Sequence, residues 1–262
     1  MMVHVAVVQT NPIFGEVKKN IQDALDLMET AEADLYVLPE LFNTGYNFIE
    51  QKESATLAEK VDGLTCKMLC EFTKKQMCYI AYGFAEKADT IYNSSSLIGP
   101  EGFIGVYRKV HLFYRENLFF APGNLGFPVF DLPIGKVGMM VCFDWLYPES
   151  ARSLALKGAQ LIAHPSNLVL PSCPDGMVTR ALENKVFTAT SDRVGEENRG
   201  SIDLKFIGTS EIVSPIGKIL CRLGTSESAI GVAEVDLSFS DKKQINEYNH
   251  ILNGRRTDQY SL

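Results

Sequence analysis

The sequence predicts an α/β protein built from sheets that helices cover. Two strand–helix–strand units follow the same order along the chain, one near the N-terminus and one that begins at residue 137. Each unit ends in a buried strand that leads into a proline, Leu38-Pro39-Glu40 in the first and His164-Pro165-Ser166 in the second. The strands between the units cluster instead of alternating evenly with helices, which favours layered sheets over a barrel. We therefore expect two similar halves that pack as layers.

The first unit opens with Val3–Gln9, an apolar and β-branched run that predicts a buried strand. Apolar residues then recur at helical spacing over residues 17–31, and residues 35–38 predict a second buried strand. Residues 65–77 repeat the helical pattern, and Thr65 is the expected cap of that helix.

The rest of the chain predicts mainly strands. The middle predicts three strands, at residues 78–85, 91–98 and 103–107, with a turn at Pro100-Glu101-Gly102. The second half predicts a strand at 137–141, a helix at 149–156 that Pro148 opens, a strand at 161–163, a helix at 177–184, strands at 186–190, 206–213 and 229–235, and a turn at 214–217. Because no disordered linker stands out, we expect one domain over residues 1–262. Its polar tail, from about residue 240, should pack on a surface or on a partner subunit.

Composition and charge exclude several classes of protein. The chain is 46% apolar and 22% charged, which is typical of a globular protein and not of a disordered one. Its net charge is −7 and no Lys/Arg cluster exceeds two residues, so we expect no nucleic-acid partner. The N-terminus lacks a basic region and a cleavage site, and no run of eighteen apolar residues occurs, so we expect no membrane partner and a cytoplasmic location.

The cysteines do not form a metal-binding pattern. The six cysteines include no C-x-x-C pair, and the chain has four histidines. Zinc sites need closely spaced cysteine and histidine ligands. We therefore expect no metal site, and mostly free thiols in a reducing compartment.

Three segments carry candidate chemistry, and the first is LYVLPELFNTGYN at residues 35–47. A buried strand stops at Pro39 and places the carboxylate of Glu40 at the edge of the sheet. Strand ends are where α/β proteins place reactive groups. Taken alone, Glu40 would more simply be a solvated glutamate in a loop.

The second segment is YRKVHLFYRE at residues 107–116, in which basic residues alternate with apolar ones. A solvated basic loop with a few anchoring aromatic residues is its simplest explanation. The functional interpretation places one ammonium at the mouth of a pocket, where it can stabilise a developing oxyanion.

The third segment is KVGMMVCFDWLYPESAR at residues 136–152, where a strand leads to Cys142 and Pro148 opens a helix just beyond it. A strand-to-helix turn exposes a nucleophile and directs backbone N–H groups at the atom it attacks. A cysteine at a strand end is often a small core residue instead. However, Asp144 and the only tryptophan, Trp145, stand beside it, and a core cysteine would require neither.

Together these segments resemble a known family. PELFNTGY, YRKVHLF and CFDWLYPE are similar, in order and spacing, to the glutamate, lysine and cysteine signatures of the nitrilase, or carbon–nitrogen hydrolase, superfamily. The resemblance extends through GAQLIAHPSN and MVTRALENKVFTATSDRVG, and so covers nearly the whole chain. The cysteine segment looks closest to that of short, single-domain microbial members. Many amidase-type relatives carry a basic residue near the position of Leu146.

The resemblance implies a fold and a set of roles. The implied fold is a four-layer αββα sandwich of the α/β class (α+β in some schemes), which pairs into a homodimer or a larger homo-oligomer. Carried over residue by residue, Glu40 is the general base, Lys109 the transition-state stabiliser and Cys142 the nucleophile. Glu116 matches the family's second glutamate and would orient Lys109 or the substrate nitrogen.

These roles predict a thiol hydrolase that converts a small amide or nitrile to a carboxylic acid and ammonia. A free thiol has a pKa of about 8.5, so Glu40 would take its proton. The charge that develops during attack would fall between Lys109 and the backbone N–H of Phe143, and Glu40 would later activate water against the thioester. We expect Glu40 and Lys109 to shift each other's pKa toward the charged form. The scheme needs no metal and no organic cofactor.

Other functions fit the same residues. An N-carbamoyl amino acid amidohydrolase or an acyltransferase would use the same Glu-Lys-Cys site. His111 or His164 could instead activate Cys142 as in papain-like enzymes, although a core histidine is expected at the end of a buried strand. A non-catalytic interaction protein with the same sandwich is a remote alternative.

Side chains near the three segments suggest a small, partly apolar pocket suited to aliphatic amides or nitriles. The candidates for lining this pocket are Phe42, Tyr46, Tyr114, Trp145 and Asn167.

Overall fold

The computed structural model describes residues 1–260, which form two six-stranded sheets, a two-stranded hairpin and five α-helices. The strands are β1 (Met2–Gln9), β2 (Leu35–Val37), β3 (Tyr79–Lys87), β4 (Ile91–Gly99), β5 (Gly102–Arg108), β6 (Val129–Leu132), β7 (Gly135–Met139), β8 (Leu161–Pro165), β9 (Phe187–Ser191), β10 (Glu196–Arg199), β11 (Ile202–Lys205), β12 (Glu211–Val213), β13 (Ile219–Arg222) and β14 (Ala229–Asp236). The helices are α1 (Val17–Met28), α2 (Gln51–Leu57), α3 (Leu64–Gln76), α4 (Pro148–Leu156) and α5 (Cys173–Asn184).

The strand directions bring several strand ends to one edge of each sheet. The first sheet has the order β14-β1-β2-β3-β4-β5, with β1, β2 and β3 parallel. Because β4 is antiparallel to both β3 and β5, β5 ends at the same edge as β2. The second sheet has the order β13-β12-β9-β8-β7-β6, and β7, β8 and β9 are parallel. The residues that follow β2, β5, β7 and β8 are therefore the ones positioned to form a site.

The core explains the four layers. Side chains alternate between the two faces of a strand, and in β1 Val3, Val5 and Val7 pack with residues of the second sheet. The neighbouring residues Ala6 and Val8 face the other way, into a second cluster with α1 and α3. Helices α4 and α5 cover the outer face of the second sheet in the same way. The chain therefore folds as an αββα sandwich, as the sequence predicted.

Most predicted elements are confirmed, and the errors have local causes. Thr65 does not cap α3: Gly63 holds that position, and the Thr65 hydroxyl donates to Glu59. The strand predicted at 206–213 is only Glu211–Val213, because Gly208 and Thr209 adopt left-handed backbone angles that interrupt an extended strand. The sequence analysis missed α2, the β10–β11 hairpin, β6 and β13, all of which are short.

The tail after β14 lies along the outer face of the second sheet's helices. The ammonium of Lys243 donates to the carbonyl oxygens of Asn184 and Lys185 at the C-terminal end of α5. Within residues 1–260, no helix has the length and hydropathy needed to cross a bilayer.

Candidate active site

A buried lysine joins two carboxylates at the edge of the first sheet. Lys109 directly follows β5 and Glu40 lies three residues after β2, so the strand directions bring the two together. The Lys109 ammonium lies 2.7 Å from Glu40 Oε1 and 2.7 Å from Glu116 Oε1. The side chains of Glu40 and Lys109 are fully buried, and that of Glu116 is 4% exposed. An ammonium and two carboxylates without solvent form a cluster whose protonation depends on each member.

Two further side chains orient these carboxylates. The amide of Asn93, near the start of β4, donates to Glu40 Oε1 at 2.7 Å and to Glu116 Oε2 at 3.4 Å. The hydroxyl of Tyr46 donates to Glu116 Oε1 at 2.6 Å. Within residues 1–260 no donor reaches the second oxygen of Glu40, Oε2. That oxygen can therefore accept a proton.

The second sheet supplies the candidate nucleophile, Cys142. Strand β7 ends at Met139, and Cys142 begins a 3-10 turn with a left-handed backbone angle, φ 43°. Its Sγ lies 3.7 Å from the carbonyl oxygen of Asn167, and the Asn167 side chain donates to the carbonyl oxygen of Glu40 at 2.7 Å. Phe143 is the second residue of the same turn, so its N–H has no acceptor within the turn.

Burial controls the protonation of this site. Burial raises the pKa of Glu40 to about 7, although Lys109 opposes the shift. Burial alone would lower the pKa of Lys109, but Glu116 and Glu40 raise it above its ordinary value. Glu40 and Lys109 therefore shift each other's pKa toward the charged form, as expected, but at Glu40 burial outweighs the effect of Lys109. Burial and the Glu40 charge raise the pKa of Cys142 well above its ordinary value, so the resting thiol is protonated and needs a base.

Neither histidine considered for a Cys–His pair contacts the Cys142 sulfur. His111 Nδ1 lies 2.7 Å from Asp144 Oδ1. His164 Nε2 donates to the backbone carbonyl of Cys142 at 2.9 Å, which leaves Nδ1 to accept from Thr190 at 3.0 Å. Burial lowers the pKa of His164 to about 4, so it is neutral near pH 7. This geometry does not support the papain-like alternative.

The predicted pocket residues divide into three groups. Trp145 and Asn167 line a shallow cavity at Cys142, together with Phe113, Phe143 and the segment Leu168–Leu170. Tyr46 and Tyr114 line a neighbouring cavity that Glu116 also lines. Phe42 joins neither group: it is fully buried, packs edge-to-face on Tyr82 and belongs to the outer core with α1 and α3.

The sequence analysis missed Asn93 as a site residue. Asn93 begins the polar run Asn93-Ser94-Ser95-Ser96 inside the predicted strand β4, and all four residues are buried. Because isolated polar groups are costly to bury, such a run within a strand is a signal of a site: Asn93 and Ser94 have side-chain partners, whereas the hydroxyls of Ser95 and Ser96 have none within residues 1–260.

Comparison with known proteins agrees with this geometry. The model of the carbon–nitrogen hydrolase family matches residues 4–242. The chain belongs to the carbon–nitrogen hydrolase family. It is a hydrolase of the nitrilase superfamily, as the three sequence segments predicted.

Relatives with names and structures extend the comparison. The chain is 53% identical to a nitrilase of Pyrococcus abyssi, with 99% of each chain aligned. It is 31% identical to an omega-amidase of Xenopus laevis, over 93% of this chain and 91% of the relative. A carbon–nitrogen hydrolase of Helicobacter pylori G27 superposes with a TM-score of 0.90 at 28% identity, over 99% and 97% of the two chains.

A further structural relative is an amidase variant of Nesterenkonia sp. AN1. It superposes with a TM-score of 0.83 at 25% identity, over 98% of this chain and 94% of that one. The structure of that variant shows the acetamide moiety of fluoroacetamide added covalently at its active-site cysteine.

Proposed function

We propose that Glu40, Lys109 and Cys142 form a catalytic triad that hydrolyses a small amide or nitrile to a carboxylic acid and ammonia. The observation that carries the proposal is the buried Lys109 ammonium between Glu40 and Glu116, next to the turn of Cys142. The names of the relatives, nitrilase and omega-amidase, support the same chemistry. The small cavity at Cys142, lined mainly by apolar side chains, suits a short aliphatic substrate.

In this scheme Glu40 acts twice as a base. Its unpartnered Oε2 accepts the Cys142 proton as the sulfur attacks the carbonyl carbon of the amide. The oxyanion that forms is stabilised by the Lys109 ammonium and the N–H of Phe143. Protonated Glu40 then gives its proton to the departing ammonia, and a thioester remains on Cys142. Glu40 finally takes a proton from water as that water attacks the thioester, and it returns the proton to the sulfur as the C–S bond breaks and the carboxylic acid leaves.

A nitrile follows the same route with one added stage. The thiolate adds to the nitrile carbon and forms a thioimidate, which takes up water and loses ammonia to give the same thioester. Glu116 holds the Lys109 ammonium in place throughout, and the Tyr46 hydroxyl donates a second hydrogen bond to Glu116.

The test is ammonia release from purified protein with short aliphatic amides, N-carbamoyl amino acids, and mono- and dinitriles. We expect release from amides or nitriles, and a loss of at least about 10³-fold in Cys142→Ala and Glu40→Gln. His111→Asn and His164→Asn should stay within about tenfold of wild type. The opposite pattern would reject the Glu-Lys-Cys assignment, and release from N-carbamoyl amino acids alone would reassign the substrate.

We also propose that the protein is a homodimer that pairs through the α4–α5 face. Leu146, Leu156 and Leu182 are 45–47% exposed on or beside these helices, and clustered exposed leucines mark interaction surfaces. The tail after residue 240 lies on the same face and would extend the contact. Light scattering should give a dimer that Leu182→Glu dissociates, while Leu64→Glu on α3 leaves it intact.

Finally, we propose that residues 1–262 act as one domain in the cytoplasm. The family match covers 4–242, and strand β14 near the C-terminus pairs with β1 at the N-terminus. All six cysteines are free thiols, which suits a reducing compartment.

A further inference from the structure

Asp144 is a buried carboxylate that the scheme above does not use. Its side chain is fully buried, yet it accepts four hydrogen bonds. Oδ2 accepts from the Tyr107 hydroxyl at 2.6 Å and from the Val141 N–H at 2.8 Å. Oδ1 accepts from the N–H of His111 at 3.2 Å and from its Nδ1 at 2.7 Å. A carboxylate with this many donors is held rigidly.

The donors belong to the two segments that carry the proposed site. Tyr107 lies two residues before Lys109 and His111 two residues after it, so Asp144 is hydrogen-bonded to the chain on both sides of Lys109. Asp144 itself lies two residues after Cys142. One carboxylate of the second sheet therefore connects the end of β5, in the first sheet, to the turn of the nucleophile.

The same carboxylate closes the turn around Cys142. Cys142 holds a left-handed backbone angle, which is unfavourable for a non-glycine residue and persists only when its surroundings enforce it. The bond from Val141 N–H to Asp144 spans Cys142 from one side to the other. On the outer side, the ring of His111 stacks on Tyr147 with centroids 3.7 Å apart. Asp144 thus constrains the backbone angle of Cys142. Through His111, which stacks on Tyr147, it also constrains the end of the turn that follows Cys142.

We infer that Asp144 is a positioning residue that sets the separation between the Lys109 ammonium and the Cys142 turn, with Tyr107 and His111 as its partners. This inference rests on the proposed function, because the separation matters only if Lys109 and the Phe143 N–H stabilise an oxyanion formed at Cys142. A displacement of about 1 Å in such a site can cost about 10² in rate.

The test compares two reactions of the same thiol. Amide hydrolysis forms an oxyanion between Lys109 and Cys142, whereas alkylation of Cys142 by iodoacetamide forms none. In Tyr107→Phe we expect kcat for amide hydrolysis to fall about tenfold, with KM and the alkylation rate at Cys142 within twofold of wild type. Asp144→Asn, whose amide nitrogen cannot accept a hydrogen bond, should lower kcat about 10²-fold with the same selectivity.

Tyr82→Phe is the matched control. It removes another buried hydroxyl from the first sheet, but in the outer core with α1 and α3, and should leave kcat within twofold. A Tyr107→Phe enzyme with unchanged kcat, or one whose hydrolysis and alkylation fall equally, would overturn the inference even if Asp144→Asn does not fold. Absence of ammonia release from the wild-type protein would instead contradict the proposed function, so the two failures are distinct.

Discussion

The two sheets contribute different chemistry at edges that are built alike. At the first edge, the groups are mostly charged: Glu40, Glu116 and Lys109, with Asn93 between them. At the second edge lie the protonated thiol of Cys142, a histidine whose pKa burial lowers to about 4, and the loop at Ser166 and Asn167. The carboxylate of Asp144 at this edge accepts four hydrogen bonds instead of pairing with an ammonium. The strand–proline pattern leads to Glu40 in one half and to Ser166 in the other, whereas Cys142 follows β7.

This difference shows how a site can bury charge beside a thiol. The ammonium and the carboxylates compensate one another within the first sheet, so Cys142 need not supply a counter-ion. Besides the bonds to Asp144, two more join the edges: the N–H of Glu40 donates to the carbonyl oxygen of Ser166 at 3.4 Å, and Asn167 donates to the carbonyl oxygen of Glu40 at 2.7 Å. Glu40 and the thiol can meet only when the sheets pack.

The largest effect should come from removing the cation of the charged edge. Lys109→Met keeps the length of the side chain but leaves Glu40 and Glu116 facing each other without compensation, so kcat for ammonia release should fall about 10³-fold. The pKa of Glu40 should also rise further in this variant, because the Lys109 ammonium lowers that pKa in the wild type. Lys87→Met, at the exposed end of β3, is the control. Retention of more than a tenth of wild-type kcat would show that the charged edge is not needed for catalysis.

A smaller effect should come from the donor that orients the base. Asn93 hydrogen-bonds to the charged form of Glu40, so Asn93→Ala should raise the pKa of that carboxyl above about 7. Because the ionised carboxylate is the base, kcat/KM should increase with pH through about 7 in the wild type, and at higher pH in the variant. The pH profile of kcat/KM measures both midpoints, and Asn117→Ala on the surface serves as control. A midpoint that moves to lower pH would contradict this role of Asn93.

The smallest effect on turnover, and a distinct effect on stability, should come from His164 at the second edge. Burial lowers the pKa of His164 from 6.5 to about 4, so between these pH values the unfolded state binds the proton and the folded state does not. The free energy of unfolding should therefore rise with pH across that window, by about 3 kcal/mol for this group, and the contribution is lost as pH falls toward 4.

His164→Asn tests this contribution. Urea unfolding at pH 4.5 and pH 7 should show a weaker pH dependence in the variant than in the wild type. His4→Asn, at an exposed position of β1, should not change it. An unaltered pH dependence in His164→Asn would mean that the buried imidazole does not govern acid stability.

The strands of the two six-stranded sheets could be predicted from the sequence more completely than the segments that connect them. Apolar periodicity located β1, β3, β4, β7, β8 and β14, because buried strands and helices impose regular spacing on the chain. It did not locate the β10–β11 hairpin, whose residues apart from the buried Glu197 are half-exposed or exposed and carry little apolar pattern. Phe42 was misassigned for a related reason, since an aromatic residue near a motif can face either side of the sheet.

The sequence by itself determined the fold class and the family, and it predicted the roles proposed for Glu40, Lys109 and Cys142, because residue type and spacing along one chain carry that information. Only the tertiary structure decided which oxygen of Glu40 is unpartnered, that Asn93 holds the other, and that Asp144 connects the lysine segment to the cysteine turn. These contacts join residues 33 to 53 positions apart along the chain. The packing of the two sheets also set the pKa of Glu40 to about 7, since burial is a property of the folded surroundings and not of the residue.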